Sequence, residues 1–498
     1  MHHPSVGSPS LGSFSLGSLS LGRAAATLAA LFAAACTSVG PDFVPPKREL
    51  PATWQQAREA GLVDGKVLDG PFWEAFQDPV LTELVQRALA QNLDLRAAYQ
   101  RLVSAQALRG VAAADRWPSL DARASYEDRQ DSRNTPFGAF IPRTNIHTVA
   151  VDATWELDLW GRVRRSVEAA DHDLAATAAD AQGAALTVAT EVVSTYVDLR
   201  SAQRRLAIAQ SNLTLQEETL RLVQARANAG LVVERDVAQA STNVEQTRSR
   251  LPMLEAAAIV AQNRLAVLLG KAPGELPAAV TAVAELPKLP AGVTVGAPAD
   301  LLRRRPDVQA AERRFAAAIA RIGIAEADKY PRFSLSGTLG FAASTVKDVF
   351  TDGSDILAFG PSLRWNLFDG GRLRQRVQSL EANAEAAQVA WEQTVLLALE
   401  ESENAMTRFV REQSRRNSLQ RAAAQARRAV VLAQTQYTAG LSDFQAVIDS
   451  ERTVAVIEDD LVNSDASIAS SLVSIWKALG GGMPETAPLA GEAKGAGD

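Results

Sequence analysis

Two hydrophobic periods organise the chain. Over Thr148–Glu156 the side chains alternate, with Val149, Val151, Ala153 and Trp155 on one face and Asp152, Thr154 and Glu156 on the other. In Phe333–Phe341 the residues Phe333, Leu335, Leu339 and Phe341 oppose Ser334, Ser336 and Thr338. In Phe359–Leu367, Leu363, Trp365 and Leu367 oppose Ser362, Arg364 and Asn366, and Ser119–Asp128 completes the set of strand candidates. Strands of about ten residues with one greasy and one polar face suit a transmembrane β-barrel, lipid outside and water inside. Half-buried strands of a soluble sheet share the same period.

The second period is helical. Val163–Asn228 and Leu373–Thr438 contain no proline, and each predicts a helix on the order of 100 Å long. Leu199, Leu206, Leu213 and Leu220 recur every seven residues, with Ala202, Ala209 and Val223 beside them. Beyond Gly230 the chain returns through Val244, Leu251, Ala258 and Leu265, accompanied by Leu254, Ala261 and Leu268. A seven-residue repeat with small residues on its seam is coiled-coil packing at close range. Shorter helices are predicted over Leu81–Ala114 and Asp307–Asp328, each closed by an aromatic-proline pair.

These elements occur twice. Trp117-Pro118 and Tyr330-Pro331 are 213 residues apart, as are Asp94 and Asp307. Trp155-Glu156-Leu157 and Trp365-Asn366-Leu367 are 210 apart, as are Gly161-Arg162 and Gly371-Arg372, and Ala229-Gly230-Leu231 and Ala439-Gly440-Leu441. The three-residue difference falls between the strand candidates, where a loop absorbs it. The chain therefore divides into a leader (1–35), an extended segment (36–75), a first repeat (76–285), a second repeat (286–480) and a flexible tail (481–498).

Composition narrows the function. Lys and Arg total 51 against 57 Asp and Glu, a net charge of −6 that argues against a nucleic-acid footprint. One cysteine excludes an internal disulfide and a multi-cysteine metal site. Of four histidines, two lie at the extreme N-terminus, while His147 falls in a loop and His172 on a coil, so no nucleophile–base arrangement forms and an enzyme is not expected. Glu400, Glu401 and Glu403 read as a helix surface rather than a metal site. Gly337-Thr338-Leu339-Gly340 is too short to cradle phosphate.

Arg23, the apolar Ala24–Ala35 and the small residues before Cys36 describe a secretory signal. The cut would fall before the only cysteine, which resembles a lipoprotein signal with Cys36 acylated, although Ala33 stands where such signals carry leucine. The alternative is a free cysteine in an ordinary helix. The following Gly40-Pro41-Asp42-Phe43-Val44-Pro45-Pro46 cannot be helical and reads as a linker. No other cofactor is expected.

Four strands cannot close a barrel, and an open edge in lipid leaves backbone groups unpaired at several kcal/mol each. If the strands span a membrane, several chains must contribute. Three copies would give twelve strands around one axis.

Leu301-Leu302-Arg303-Arg304-Arg305-Pro306-Asp307-Val308-Gln309-Ala310-Ala311-Glu312, continuing to Ile322-Gly323-Ile324-Ala325 and Tyr330-Pro331, resembles the signature of the TolC/OprM outer-membrane efflux proteins. Trp73, Phe76 and Asp78, Ala88 and Asn92, and a Gly-Leu turn in each half extend the resemblance from Cys36 to about Gly480, to the lipid-anchored, NodT-like branch. It implies a mainly α fold with a small transmembrane β part: a long antiparallel coiled-coil α-barrel and a β-barrel completed by trimerisation. It also implies a passive exit duct in the outer membrane. The homotrimer would extend into the periplasm to meet an adaptor protein and an inner-membrane pump of the resistance-nodulation-division class.

The resemblance further implies a periplasmic gate. Asp449 matches a carboxylate that rings the pore mouth, and Tyr437 and Asp236 match a contact that closes the helix pairs. Gln445 stands where a lipid-anchored relative is apolar, Ala446 where a second ring aspartate occurs, and Ser442 where an arginine locks the gate. Read without the resemblance, Asp236 and Asp449 are helix-surface carboxylates. Phe137, Phe140 and Phe350 lie in the presumed external loops. Two other classes stay open: a periplasmic adaptor, which would need lipoyl-like halves around one hairpin, and a poreless coiled-coil lipoprotein.

Overall fold

The computed structural model describes residues 38–55, 62–64, 70–136, 138, 140, 142–290, 292–300 and 304–481. The leader, Cys36, Phe137 and the tail beyond 481 lie outside the described residues. The chain separates into two compact units, one carrying a four-stranded sheet (111–169 and 319–381, with the described residues before Phe43) and one carrying most of the helices.

The strand unit holds β2 (Ser119–Arg129), β3 (Thr144–Leu157), β5 (Arg332–Ala343) and β6 (Asp355–Arg364), paired antiparallel in the order β2-β3-β5-β6. The first repeat's second strand thus pairs with the second repeat's first. Register aligns the faces across the sheet: Ala122, Val151, Leu339 and Leu357 form one row across all four strands. Asp121, Asp152 and Thr338 occupy a row of the opposite face. A slip of one residue would exchange the faces.

β6 begins and ends earlier than Phe359–Leu367. Its ladder runs from Asp355 opposite Phe341 to Arg364 opposite Arg332. Pro331, with no N–H to donate, precedes Arg332, so Trp365 and Leu367 fall beyond the last pairing. The indole of Trp365 instead donates to the Lys329 carbonyl at 3.1 Å, as Trp155 donates to that of Arg116 at 3.0 Å in the first repeat.

The helices carry the duplication in their lengths. α2 (Leu93–Ala114) and α5 (Pro306–Ala327) each have 22 residues. α3 (Arg162–Asn228) and α6 (Arg372–Thr438) have 67, and α4 (Glu234–Leu268) and α7 (Phe444–Ala478) have 35. Each long helix ends on a glycine in the left-handed region, Gly230 or Gly440, both at φ 72°. Leu231 N–H closes onto the Arg226 carbonyl and Leu441 N–H onto that of Gln436, both at 2.9 Å, so the two hairpins stop by the same six-residue motif. An L-residue side chain would strain either position.

The helix predicted over Leu81–Ala114 is two helices. α1 (Pro79–Gln91) starts at Asp78, whose side chain accepts from the N–H groups of Val80 and Leu81, with Pro79 at the first position. It stops at Asn92, which is buried and extended. The Asn92 side chain accepts from Leu95 N–H at 2.9 Å, capping α2, and donates to the Leu268 carbonyl at 3.0 Å. That buried carbonyl partner makes the break worth more than continuing the helix.

Within the helical unit, Phe72, Trp73 and Phe76 pack into the main core with Tyr196, Trp391 and Trp476. Phe76 meets Trp476 edge-on at 5.7 Å. A short parallel pair, β1 (Leu62–Asp64) and β4 (Val293–Val295), was not anticipated, since three-residue strands show no period. Arg305 of the signature run is buried against Asp307, Glu401 (2.8 Å) and the Ala478 carbonyl (3.1 Å). That run and the acidic cluster are therefore joined as structure.

Candidate functional site

Two places combine unusual surfaces with candidate residues. The first is the sheet. Its apolar face stays bare in the single chain: Leu120, Leu339, Leu357, Phe359 and Leu363 are all more than half exposed. Contiguous exposure of that size marks a surface covered by something else. The polar face is cross-linked between strands, with Arg123 paired to Asp152 at 3.2 Å and the Thr338 hydroxyl donating to Asp152 at 2.6 Å. One side suits hydrocarbon and the other water.

The edges differ from the interior. Among the described residues, β2 has only β3 as a neighbour and β6 only β5. Their outer N–H and C=O groups have no partner strand among the described residues, and lipid could not satisfy them.

The second place lies where the two hairpins turn. Val223 and Ala240 pack with Ala433, Tyr437, Phe444, Val447 and Ile448 in a small separate core. This core brings α3, α4, α6 and α7 together close to their Gly230 and Gly440 ends. The candidate residues distribute around it in different ways.

Gln445 and Asp449 stand together on α7. Both are exposed, and the Gln445 amide donates to the Asp449 carboxylate at 2.9 Å. The spacing of four residues on one helix places them on one face.

Tyr437 and Asp236 share a neighbourhood without a hydrogen bond. The Tyr437 ring is buried against Phe444 at 5.2 Å, with the Arg226 guanidinium 4.7 Å from its centroid. Arg226 also donates to the Tyr437 carbonyl at 3.0 Å. The Tyr437 hydroxyl is buried with no hydrogen-bond partner among the described residues, and Asp236 pairs with Arg235 at 3.4 Å. Burial pushes the Tyr437 hydroxyl up, the Arg226 charge opposes this and the Asp236 charge reinforces it. The cross-repeat tie at this position is thus Arg226 to Tyr437.

Sequence reasoning missed Arg226 and Glu451. Glu451 is 6% exposed, and its carboxylate accepts from Thr219 of α3, Asn243 of α4 and Gln434 of α6. A signal was present: Phe444, Val447 and Ile448 begin a buried stripe on α7 that reaches Val462, and Glu451 occupies a position inside it.

The family described as outer membrane efflux protein matches residues 84–271 and 297–481, a span for each repeat. The chain is 32% identical to Nodulation protein T of Rhizobium leguminosarum bv. trifolii, over 91% of this chain and 96% of that one. It is 30% identical to the solvent efflux pump outer membrane protein SrpC of Pseudomonas putida, over 91% and 97%. The solved structure of the outer-membrane channel OprN superposes with a TM-score of 0.85 at 37% identity, covering 90% of this chain and 99% of that one.

Proposed function

Because this chain belongs to the outer membrane efflux protein family, we propose that three copies close around its sheet into one passive duct. The chain is an outer-membrane channel, the exit duct of an efflux system. The observation that carries the trimer is the four-stranded, two-faced sheet with both edges open. Three copies of four strands give twelve, enough to close a barrel whose apolar faces meet lipid and whose polar faces line water. Met253, Ile259 and Val260, exposed on α4, supply apolar surface for the neighbouring copies. A periplasmic adaptor would dock the trimer to an inner-membrane pump of the resistance-nodulation-division class. The pump supplies the energy and the duct performs no chemistry.

Asp449 and Gln445 form the charge filter of the gate in this reading. Three exposed carboxylates around one axis attract cations, as rings of Asp do in narrow pores. The test is planar-bilayer recording of the detergent-extracted trimer. Asp449→Ala should lower cation selectivity and weaken block by polyvalent cations. Unchanged selectivity would mean that Asp449 is a surface residue, and a folded monomer without detergent would sink the duct.

Cys36 carries the lipid anchor in this reading. Support comes from the residues just after it. Val39 N–H donates to the Trp160 carbonyl at 3.1 Å, and Arg165 holds the carbonyls of Val39 and Gly40 and the carboxylate of Asp42. Ser38 lies so close to Gly161 that a Cβ there would sit 2.7 Å from its hydroxyl. Ser38 thus lies near the end of β3, where Trp160 stacks on Tyr330 at 4.8 Å. Aromatic side chains at a strand end mark a membrane interface. Mass spectrometry of the mature protein should find an acylated Cys36. Cys36→Ser should lose the acyl chains yet keep trimers in the outer membrane, because the barrel buries far more apolar surface. An unmodified Cys36, or a cut elsewhere, would refute the anchor.

A further inference from the structure

One buried acid joins all four long helices. Glu451 Oε1 accepts from the Thr219 hydroxyl at 3.0 Å and from the Gln434 amide at 3.3 Å, while Oε2 accepts from the Asn243 amide at 3.1 Å. Thr219 belongs to α3, Asn243 to α4, Gln434 to α6 and Glu451 to α7. Asn243 is itself buried, and its carbonyl accepts from Arg452 at 3.3 Å. All four lie within about three turns of the Gly230 and Gly440 ends.

Among the described residues, the carboxylate has no cation as a partner. Arg226 of α3 lies against Tyr437, Arg248 of α4 pairs with Glu217 and Glu245, and Arg427 of α6 pairs with Glu458 of α7. Arg452, on the same helix as Glu451, is turned to Asn243. Asp236 of α4 pairs with Arg235, and Asp449 of α7 is exposed beside Gln445. Three neutral donors are all that offset the loss of water around the charge. Packing alone would favour an apolar residue here, as at Val447 and Ile448.

We propose that Glu451 is a positioning residue of the gate: it pins α3, α4, α6 and α7 together, and its protonation sets how readily they part. The proposal rests on the duct reading, since the parting of these helices opens something only if they surround a passage. Glu451 acts through α7, which also carries Asp449 and Gln445 two and six residues earlier. When the helices separate, water reaches the carboxylate and replaces the donors it loses.

The direction follows from burial. Burial pushes the Glu451 carboxyl up, and the bonds from Thr219, Gln434 and Asn243 pull it down only in part. The packed state therefore holds the proton more tightly than a hydrated Glu451 does, so acid stabilises packing. As pH rises through the raised value the carboxylate ionises, that stabilisation is lost and opening becomes easier.

Planar-bilayer recordings of wild-type and Glu451→Gln trimers between about pH 8 and pH 5 should differ in slope, with up to about tenfold change in the open-to-closed ratio per pH unit and protomer for the wild type. The wild-type open probability should fall on acidification beyond any response left in Glu451→Gln. Thermal unfolding of the same trimers gives a readout independent of conduction. The wild-type Tm should rise relative to the variant as pH falls. Thr219→Val, which removes one donor to the ionised form, should move the wild-type midpoint to higher pH, and it serves if Glu451→Gln does not assemble. Parallel pH profiles of Tm and open probability, or an unmoved Thr219→Val midpoint, overturn the proposal; conducting channels with those profiles leave the duct intact. Wild-type trimers that never conduct while their Tm profiles diverge refute the duct instead and leave the linkage at Glu451 standing.

Discussion

Leu339→Arg should cost the assembled protein about 2–4 kcal/mol, the expense of a guanidinium at the bilayer midplane, whereas Ser336→Arg should cost about 1 kcal/mol or less. Both positions lie near the middle of β5. They differ in face: Leu339 is paired with Val151 and Leu357 on the apolar side, and Ser336 with Thr154 and Gly360 on the polar side. The fraction of trimer recovered from outer membranes, and its unfolding in urea, measure the two costs. Equal losses would show that the sheet does not separate lipid from water. No helical substitution tests the barrel as directly, because only the sheet depends on alternation.

Arg200→Met should destabilise the helical unit by about 2–4 kcal/mol, since buried acceptors left without donors cost about 1–3 kcal/mol each and partial repacking recovers some of it. Arg200 is 1% exposed and donates to the carbonyls of Ala279, Val280 and Ala282, the last at 2.6 Å. It also holds Gln203 at 2.8 Å and lies 4.7 Å from the Tyr196 ring centroid. The Tyr196 hydroxyl in turn donates to Asp78 at 2.8 Å, and burial above all drives it up to about 12. One cation thus ties α3 to the segment after α4 and to the cap of α1. Thermal unfolding in detergent checks this; a Tm within a degree or two of wild type would mean that water takes over the carbonyls.

What the sequence made legible depended on repetition. The strands were readable because lipid and water impose opposite demands on alternate residues, so Val149, Val151 and Trp155 could be assigned to one face. The long helices were readable because Gly230 and Gly440 end them by local geometry that needs no distant partner. Positions decided by distant partners stayed hidden. Asn92 breaks its helix on account of the Leu268 carbonyl, 176 residues away. β6 stops at Arg364 because its neighbour has started only at Arg332, after Pro331. Near the Gly230 and Gly440 turns, Asp449 and Gln445 were visible as a helical pair, while the buried carboxylate two residues later was not. Glu451 finds two of its three donors 208 and 232 residues back in the chain, and an acid inside an apolar stripe reads as surface until they are seen.

The open outer edges of β2 and β6 have a consequence for inheritance. A chain whose sheet is finished by its neighbours does not own its stability. A copy with a damaged strand face, made beside a sound one in equal amounts, leaves roughly one trimer in eight free of it. Lesions in the sheet should therefore behave as dominant. In a cell expressing both copies, the surviving fraction counts the subunits of the barrel.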